Sequence, residues 1–170
     1  MHERKIYDSE RYAHFVTFSC YKRRRLLEDN ESKKIVIKIL DSQLKLQNGK
    51  CVGYVIMPDH VHAVIWFSQN GQLIRFMQQW KRMSSREIKY HLRMRLRRYH
   101  EEISEDDPVW QAKYYDFNIS SQEKLIEKLK YMHGNPVNSG LVLRECDWRY
   151  SSARWYERRE DVGLTINPID

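Results

Sequence analysis

The stretch V-I-M-P-D-H-V-H-A-V-I-W-F, Val55 to Phe67, decides the fold. Pro58-Asp59 cuts an otherwise apolar run, so two strands, Cys51 to Met57 and His60 to Phe67, form a tight hairpin. Side chains alternate across a strand, which places His60, His62, Val64 and Trp66 on one face. Val61, Ala63, Ile65 and Phe67 take the other. Two imidazoles on one face of a buried strand must each satisfy two ring nitrogens, and would repel if both were protonated. A shared cation resolves both difficulties, because neutral imidazoles are metal ligands. The alternative is one hydrogen-bonded core histidine and one at the strand's exposed end.

Working outward, residues 10–19 (E-R-Y-A-H-F-V-T-F-S) alternate as a first strand. Residues 31–46 carry a helical apolar stripe, and Asn48-Gly49 stops it. A long helix is predicted from about Gln72 to His100, with Ile74, Met77, Trp80, Ile88, Leu92, Leu96 and Tyr99 at steps of three and four. Residues 113–119 read as a fourth strand. Ser121 caps a further helix that Gly134 and Pro136 close. The tail is irregular, with a short helix near 151–158. The fold class is therefore α+β: a ferredoxin-like β-α-β-β-α-β antiparallel sheet with helices on one face, plus an extra C-terminal helix. Residues 1–136 form the expected domain and 137–170 its irregular tail. That fold by itself names no function.

Composition narrows the class. Hydrophobic residues make up 41% of the 170, which excludes a disordered chain, and no apolar run could span a bilayer. The N-terminus lacks a secretory signal, so the expected location is the cytoplasm. Three scattered cysteines, Cys20, Cys51 and Cys146, fit reduced thiols rather than a disulfide or zinc framework. The net charge of +7 is segregated. Lys22, Arg23, Arg24 and Arg25 form an unbroken run. Between Arg75 and Arg98 lie nine Lys or Arg, among them Lys81, Arg82, Arg86, Arg93 and Arg97, against the single acid Glu87. Such segregation suggests a polyanion surface, most often nucleic acid; the alternative is a solvated helix face.

The second motif is K-L-K-Y-M-H-G-N-P-V, Lys128 to Val137. Tyr131 and Asn135, four apart, project from one side of a helix. The amide oxygen is a fair ligand for a divalent ion, and the phenol would sit beside it. Otherwise Tyr131 is an aromatic core residue and Asn135 a helix cap before Pro136. His133, two residues from Tyr131, points away from it and leaves no certain general base.

M-P-D-H-V-H followed by Y-M-H-G-N-P-V resembles the single-tyrosine HUH transposases. Within them the likeness is to the branch associated with repetitive extragenic palindromes (REP), relatives of the IS200/IS605 enzymes. F-V-T-F, V-W-Q-A-K-Y-Y-D and D-W-R-Y-S-S-A extend the resemblance over nearly the whole chain. It implies that His60 and His62 are the histidine pair, Tyr131 the nucleophile and Asn135 the polar ligand one turn later. It further implies Mg²⁺ or Mn²⁺ as cofactor, single-stranded DNA with imperfect hairpins as partner, and a homodimer. The implied activity is nicking and strand transfer through a 5′-phosphotyrosine. Asp59 stands where the family commonly has Asn, and N-P-V-N-S-G lacks the usual Lys after the Val; neither departure is expected to touch the chemistry.

The basic helix and the Lys22–Arg25 run would contact phosphates, giving salt-dependent affinity with little sequence information. Tyr21, Tyr90 and Trp110 are candidates for stacking on unpaired bases, whereas the spacing of Trp80 favours the core. Sequence readout is expected from the chain ends and the tail, with Arg149, Arg154, Arg158 and Arg159. A competing reading keeps the fold as a DNA-binding protein that does not cut. A third, a two-histidine phosphoesterase, lacks its H-x-[ST] motifs here.

Overall fold

Alternation along Ala13–Ser19 (β1) puts Phe15 and Thr17 on one face of the sheet and Val16 and Phe18 on the other. The computed structural model describes residues 12–95, 104 and 106–169. The order is β1, α1 (Asn30–Leu46), β2 (Lys50–Ile56), β3 (His60–Trp66), α2 (Gln72–Arg95), β4 (Tyr115–Ile119), α3 (Gln122–Asn138) and α4 (Ala153–Arg158). The four strands form an antiparallel sheet in the order β2-β3-β1-β4. That is the ferredoxin-like arrangement read from the sequence. Expected residues 10 and 11 of β1 and 96–100 of α2 lie outside the described residues.

Two cores lie on the two faces. On one, Val16, Phe18, Val61, Ala63 and Ile65 meet the apolar stripes of α1 and α2. Asp29 starts α1 by accepting the Ser32 amide, and Asn48, in the left-handed region at φ 52°, lets the chain turn back into β2. Trp80 is fully buried there and donates its indole N–H to the Val36 carbonyl. Trp110, expected to face unpaired bases, is instead 4% exposed; it packs on Phe18 and donates to Ser84 Oγ. An isolated bridge between Cys20 and Trp110 pulls it under the sheet end.

The opposite core is smaller. Ala13, Phe15, Val55, Val64 and Ile119 pack against Leu125 and Met132 of α3. Burying the latter two contributes about 1.5–3 kcal/mol apiece. Close approach depends on Gly53, at a bulge in β2: a Cβ there would lie 2.5 Å from Met132 Cε and 2.8 Å from Leu129 Cδ2. Ser121 caps α3 as expected, but the helix continues through Gly134 and Pro136 to Asn138. Pro136 forfeits one backbone bond, yet it is buried, and the Asn135, Pro136 and Val137 carbonyls accept from Ser139, Leu141 and Gly140. Packing therefore outweighs the proline.

The tail is less irregular than expected. Ser151 bridges Val55, the Ser152 hydroxyl accepts the Tyr54 amide, and Ile166 bridges Cys51 in parallel. These contacts cover the outer edge of β2, which would otherwise present unpaired backbone groups.

Candidate active site

Both histidines start from the register of β3. His60 and His62 are 8% and 3% exposed on the α3 face, with ring centroids 4.7 Å apart. Each ring is held through Nδ1. His60 Nδ1 lies 2.7 Å from Asp59 Oδ1, and His62 Nδ1 lies 2.7 Å from Thr17 Oγ1. A carboxylate only accepts, so His60 carries its proton on Nδ1 and its Nε2 lone pair is bare. The two Nε2 atoms then face one another at 3.1 Å. Phe15 stacks on His62 at 5.6 Å and 18° and fixes the ring plane.

Burial lowers both imidazole pKa values, His62 to about 3 with the neighbouring His60 and Arg23 adding to the effect. Both rings are therefore neutral at pH 7 and competent as metal ligands.

The α3 helix lies across this pair. Asn135 Nδ2 is 3.0 Å from His62 Nε2, and a flip of that amide would present Oδ1 instead. Tyr131, one turn earlier, meets His62 edge-on at 5.5 Å and Phe15 at 6.1 Å, and is 56% exposed. One chain thus brings together all four residues expected from the sequence. Two ring nitrogens facing one point, with an amide that presents its oxygen there once flipped, suit a divalent cation. Among the described residues no group of three or more His, Cys, Asp or Glu could hold a metal. The third donor here would be an amide.

Sequence reasoning missed two residues. Asp59, set aside as a departure without chemical weight, holds His60 and is itself paired with Arg23 Nε at 3.0 Å. Its place beside His60 in M-P-D-H was the available signal. Thr17 reaches His62 only because β1 pairs with β3 in the register Thr17↔His62. His133, as expected, is turned away: it is buried against Ser152 Oγ at 2.7 Å.

The basic residues divide. Arg23, Arg24 and Arg25 pair with Asp59, Asp107 and Glu28, and Lys22 and Arg23 both adopt left-handed backbone (φ 53° and 56°) beside the site. Helix α2 packs on the sheet face opposite the histidines. Its Arg75, Arg82, Arg86 and Arg93 are exposed, whereas Lys81 is half-buried and donates to the Gln111 and Ala112 carbonyls. Arg97 lies outside the described residues. In the tail, Arg154 pairs with Glu160, Arg158 with Asp147 and Glu160, and Arg159 lies on Trp155. Arg149 is exposed. Tyr21 carries Lys22 and Arg24 over its ring; Tyr90 is 67% exposed.

A ferredoxin-like sheet that presents paired histidines to a helix-borne tyrosine has the architecture of the single-tyrosine HUH class. Residues 8–135 match the family described as "Transposase IS200 like", and the chain belongs to that family. It is 27% identical over 124 residues to a Haemophilus influenzae protein named as a REP-associated tyrosine transposase. That match covers 70% of this chain and 64% of the relative, less than two thirds of the relative's length. Among solved structures, a REP-associated tyrosine transposase bound to a REP hairpin superposes with a TM-score of 0.65 at 16% identity, covering 94% of this chain and 88% of that one. A Deinococcus radiodurans R1 protein described as a transposase gives 0.53 at 15% identity, over 73% and 90% of the two chains. These two share the fold.

Proposed function

We propose that the protein nicks and rejoins single-stranded DNA at hairpin sequences, with Tyr131 as nucleophile. His60, His62 and Asn135 would hold a divalent cation, Mg²⁺ or Mn²⁺. The observation that carries this reading is the contact of Tyr131 with His62, whose Nε2 is shared with His60 and Asn135. A bound cation would neutralise charge on the phosphodiester and polarise its phosphorus.

The chain's own groups supply the rest. Asp59 and Thr17 fix the two rings so that both Nε2 atoms face one point. Tyr131 Oη attacks phosphorus, the P–O3′ bond breaks, the phenol proton passes to water and the departing 3′ oxygen takes one up. The products are a 5′-phosphotyrosine and a 3′-hydroxyl. The new ester preserves the energy of the broken one, so a 3′-hydroxyl on the same or another strand can reverse the step. Water as nucleophile would forfeit that option.

All four groups come together within one chain, which supports use of Tyr131 in cis. The hairpin substrate is supported by the related structure bound to a REP hairpin. No described helix is long and apolar enough to cross a membrane.

The test is a hairpin oligonucleotide labelled at its 3′ end, run on a denaturing gel after incubation with Mn²⁺ or Mg²⁺. A protein-linked band is expected with the wild type and is lost with a chelator or in Tyr131→Phe. If Tyr131→Phe gives the same adduct, the assigned nucleophile is wrong. If the wild type binds the hairpin and forms no adduct, the DNA-binding reading without cutting takes its place.

A further inference from the structure

Four groups surround the buried ring of Phe15, and two of them have no part in the chemistry just described. His62 lies 5.6 Å and Tyr131 6.1 Å from its centroid. The others are the Tyr115 ring at 6.4 Å and the Lys128 ammonium at 5.1 Å. Lys128 is one turn before Tyr131 on α3, so both project from the same side of the helix. Its ammonium also sits 4.6 Å from the centroid of Phe117. Among the described residues no carboxylate makes an ion pair with it. Two aromatic faces thus pin a cation beside the nucleophile, at the cost of ordering a long side chain, while the neighbouring Glu127 carboxylate is bound by Lys124 at 2.9 Å and acts on Lys128 only through its field.

Tyr115 supplies the other half. It is on β4, opposite Thr17 in the register of β1 and β4, and therefore flanks the residue that holds His62. It is 53% exposed, whereas Phe15 beneath it is 2% exposed. An open aromatic ring beside a pinned cation matches a nucleotide in two parts, a base and a phosphate.

We propose that Lys128 and Tyr115 form a nucleotide subsite beside Tyr131, Lys128 contacting a phosphate of the single strand and Tyr115 stacking on a neighbouring base. This rests on the strand-transfer reading of the site. It assigns the grip on the reacting strand to two residues on the histidine face, and leaves the cations of α2, on the opposite face, to more distant DNA.

The experiment measures binding of a fluorescent hairpin oligonucleotide with a single-stranded flank, by anisotropy between 50 and 200 mM salt. Tyr131→Phe serves as the uncleavable parent. Lys128→Met keeps the aliphatic stem over Phe15 and Phe117 and removes only the charge. It should lower the log–log salt slope by about 0.7, one single-strand phosphate contact, and Lys128→Arg should restore it. Tyr115→Leu should weaken binding about 5- to 100-fold with the slope unchanged, and Tyr115→Phe should recover it. A parent that binds while Lys128→Met leaves the slope intact, or Tyr115→Leu leaves the affinity intact, overturns the subsite alone. A parent that binds no single-stranded DNA overturns the strand-transfer reading and the subsite with it.

Discussion

Removing the Asp59 carboxylate should weaken divalent-cation binding about 10- to 100-fold, which is about 1.4–2.7 kcal/mol. The size follows from one bond. Asp59 Oδ1 accepts from His60 Nδ1 at 2.7 Å, a short charge-assisted contact of about 1.5–3 kcal/mol that selects one tautomer and one ring orientation. In Asp59→Ala the ring is free to rotate or to move its proton to Nε2, and the point facing His62 loses a donor. Asp59→Asn retains an acceptor oxygen at the same place, while its pairing with Arg23 is lost. It should recover most of the affinity. The measurement is a Mn²⁺ titration of each purified protein, followed by calorimetry or by the electron-spin resonance of free Mn²⁺. Far-UV circular dichroism confirms that the fold is kept. The backbone role of Asp59, whose carbonyl accepts the Cys20 amide at 2.8 Å, survives either substitution. Wild-type Mn²⁺ affinity in a folded Asp59→Ala protein would refute the assignment.

Other outcomes follow from packing and burial. Gly53→Ala should cost about 1–3 kcal/mol in a urea melt and slow adduct formation, because the added methyl meets Met132, Leu129 and Ser152 Oγ and lifts α3 off the sheet. Unchanged stability and rate would show that α3 has slack there. Trp110→Ala should destabilise by about 3–5 kcal/mol and leave the salt slope of DNA binding unchanged, as befits a core residue. Burial lifts the Cys51 thiol to about 12, from an ordinary value of 9.0. The folded state thus keeps its proton longer than the unfolded chain. The resulting stability is whole below pH 9 and is lost as pH climbs towards 12. Accordingly Cys51 should resist a thiol reagent at pH 8 in native protein and react at once in denaturant.

Legibility of the fold followed the range of the interactions involved. Alternation and helical spacing are local, so four strands, both core helices and the tyrosine helix could be read from residues alone. The same holds for the faces of His60, His62, Tyr131 and Asn135, which depend only on strand and helix periods. Apart from Asp59, whose partner His60 is the next residue, what escaped was set by partners distant in sequence. Trp110 reads as an exposed aromatic after an acidic loop until its bridge to Cys20 places it under Phe18. The run past Pro136 depends on packing that offsets one missing bond, and the tail's pairing with β2 depends on an edge that no local pattern reveals.

By itself, the order of residues determined the sheet, the shared face of the imidazoles and the phenol–amide spacing, because each is a consequence of backbone geometry over a few residues. Only the tertiary structure decided that the tyrosine helix lies on the histidine face and the basic helix on the other. It also decided that Thr17 locks the His62 ring, and that Lys128 and Tyr115 gather around Phe15. Those facts belong to strand register and to which apolar stripe covers which face, where contacts span tens of residues and only the packing of the whole chain selects among alternatives.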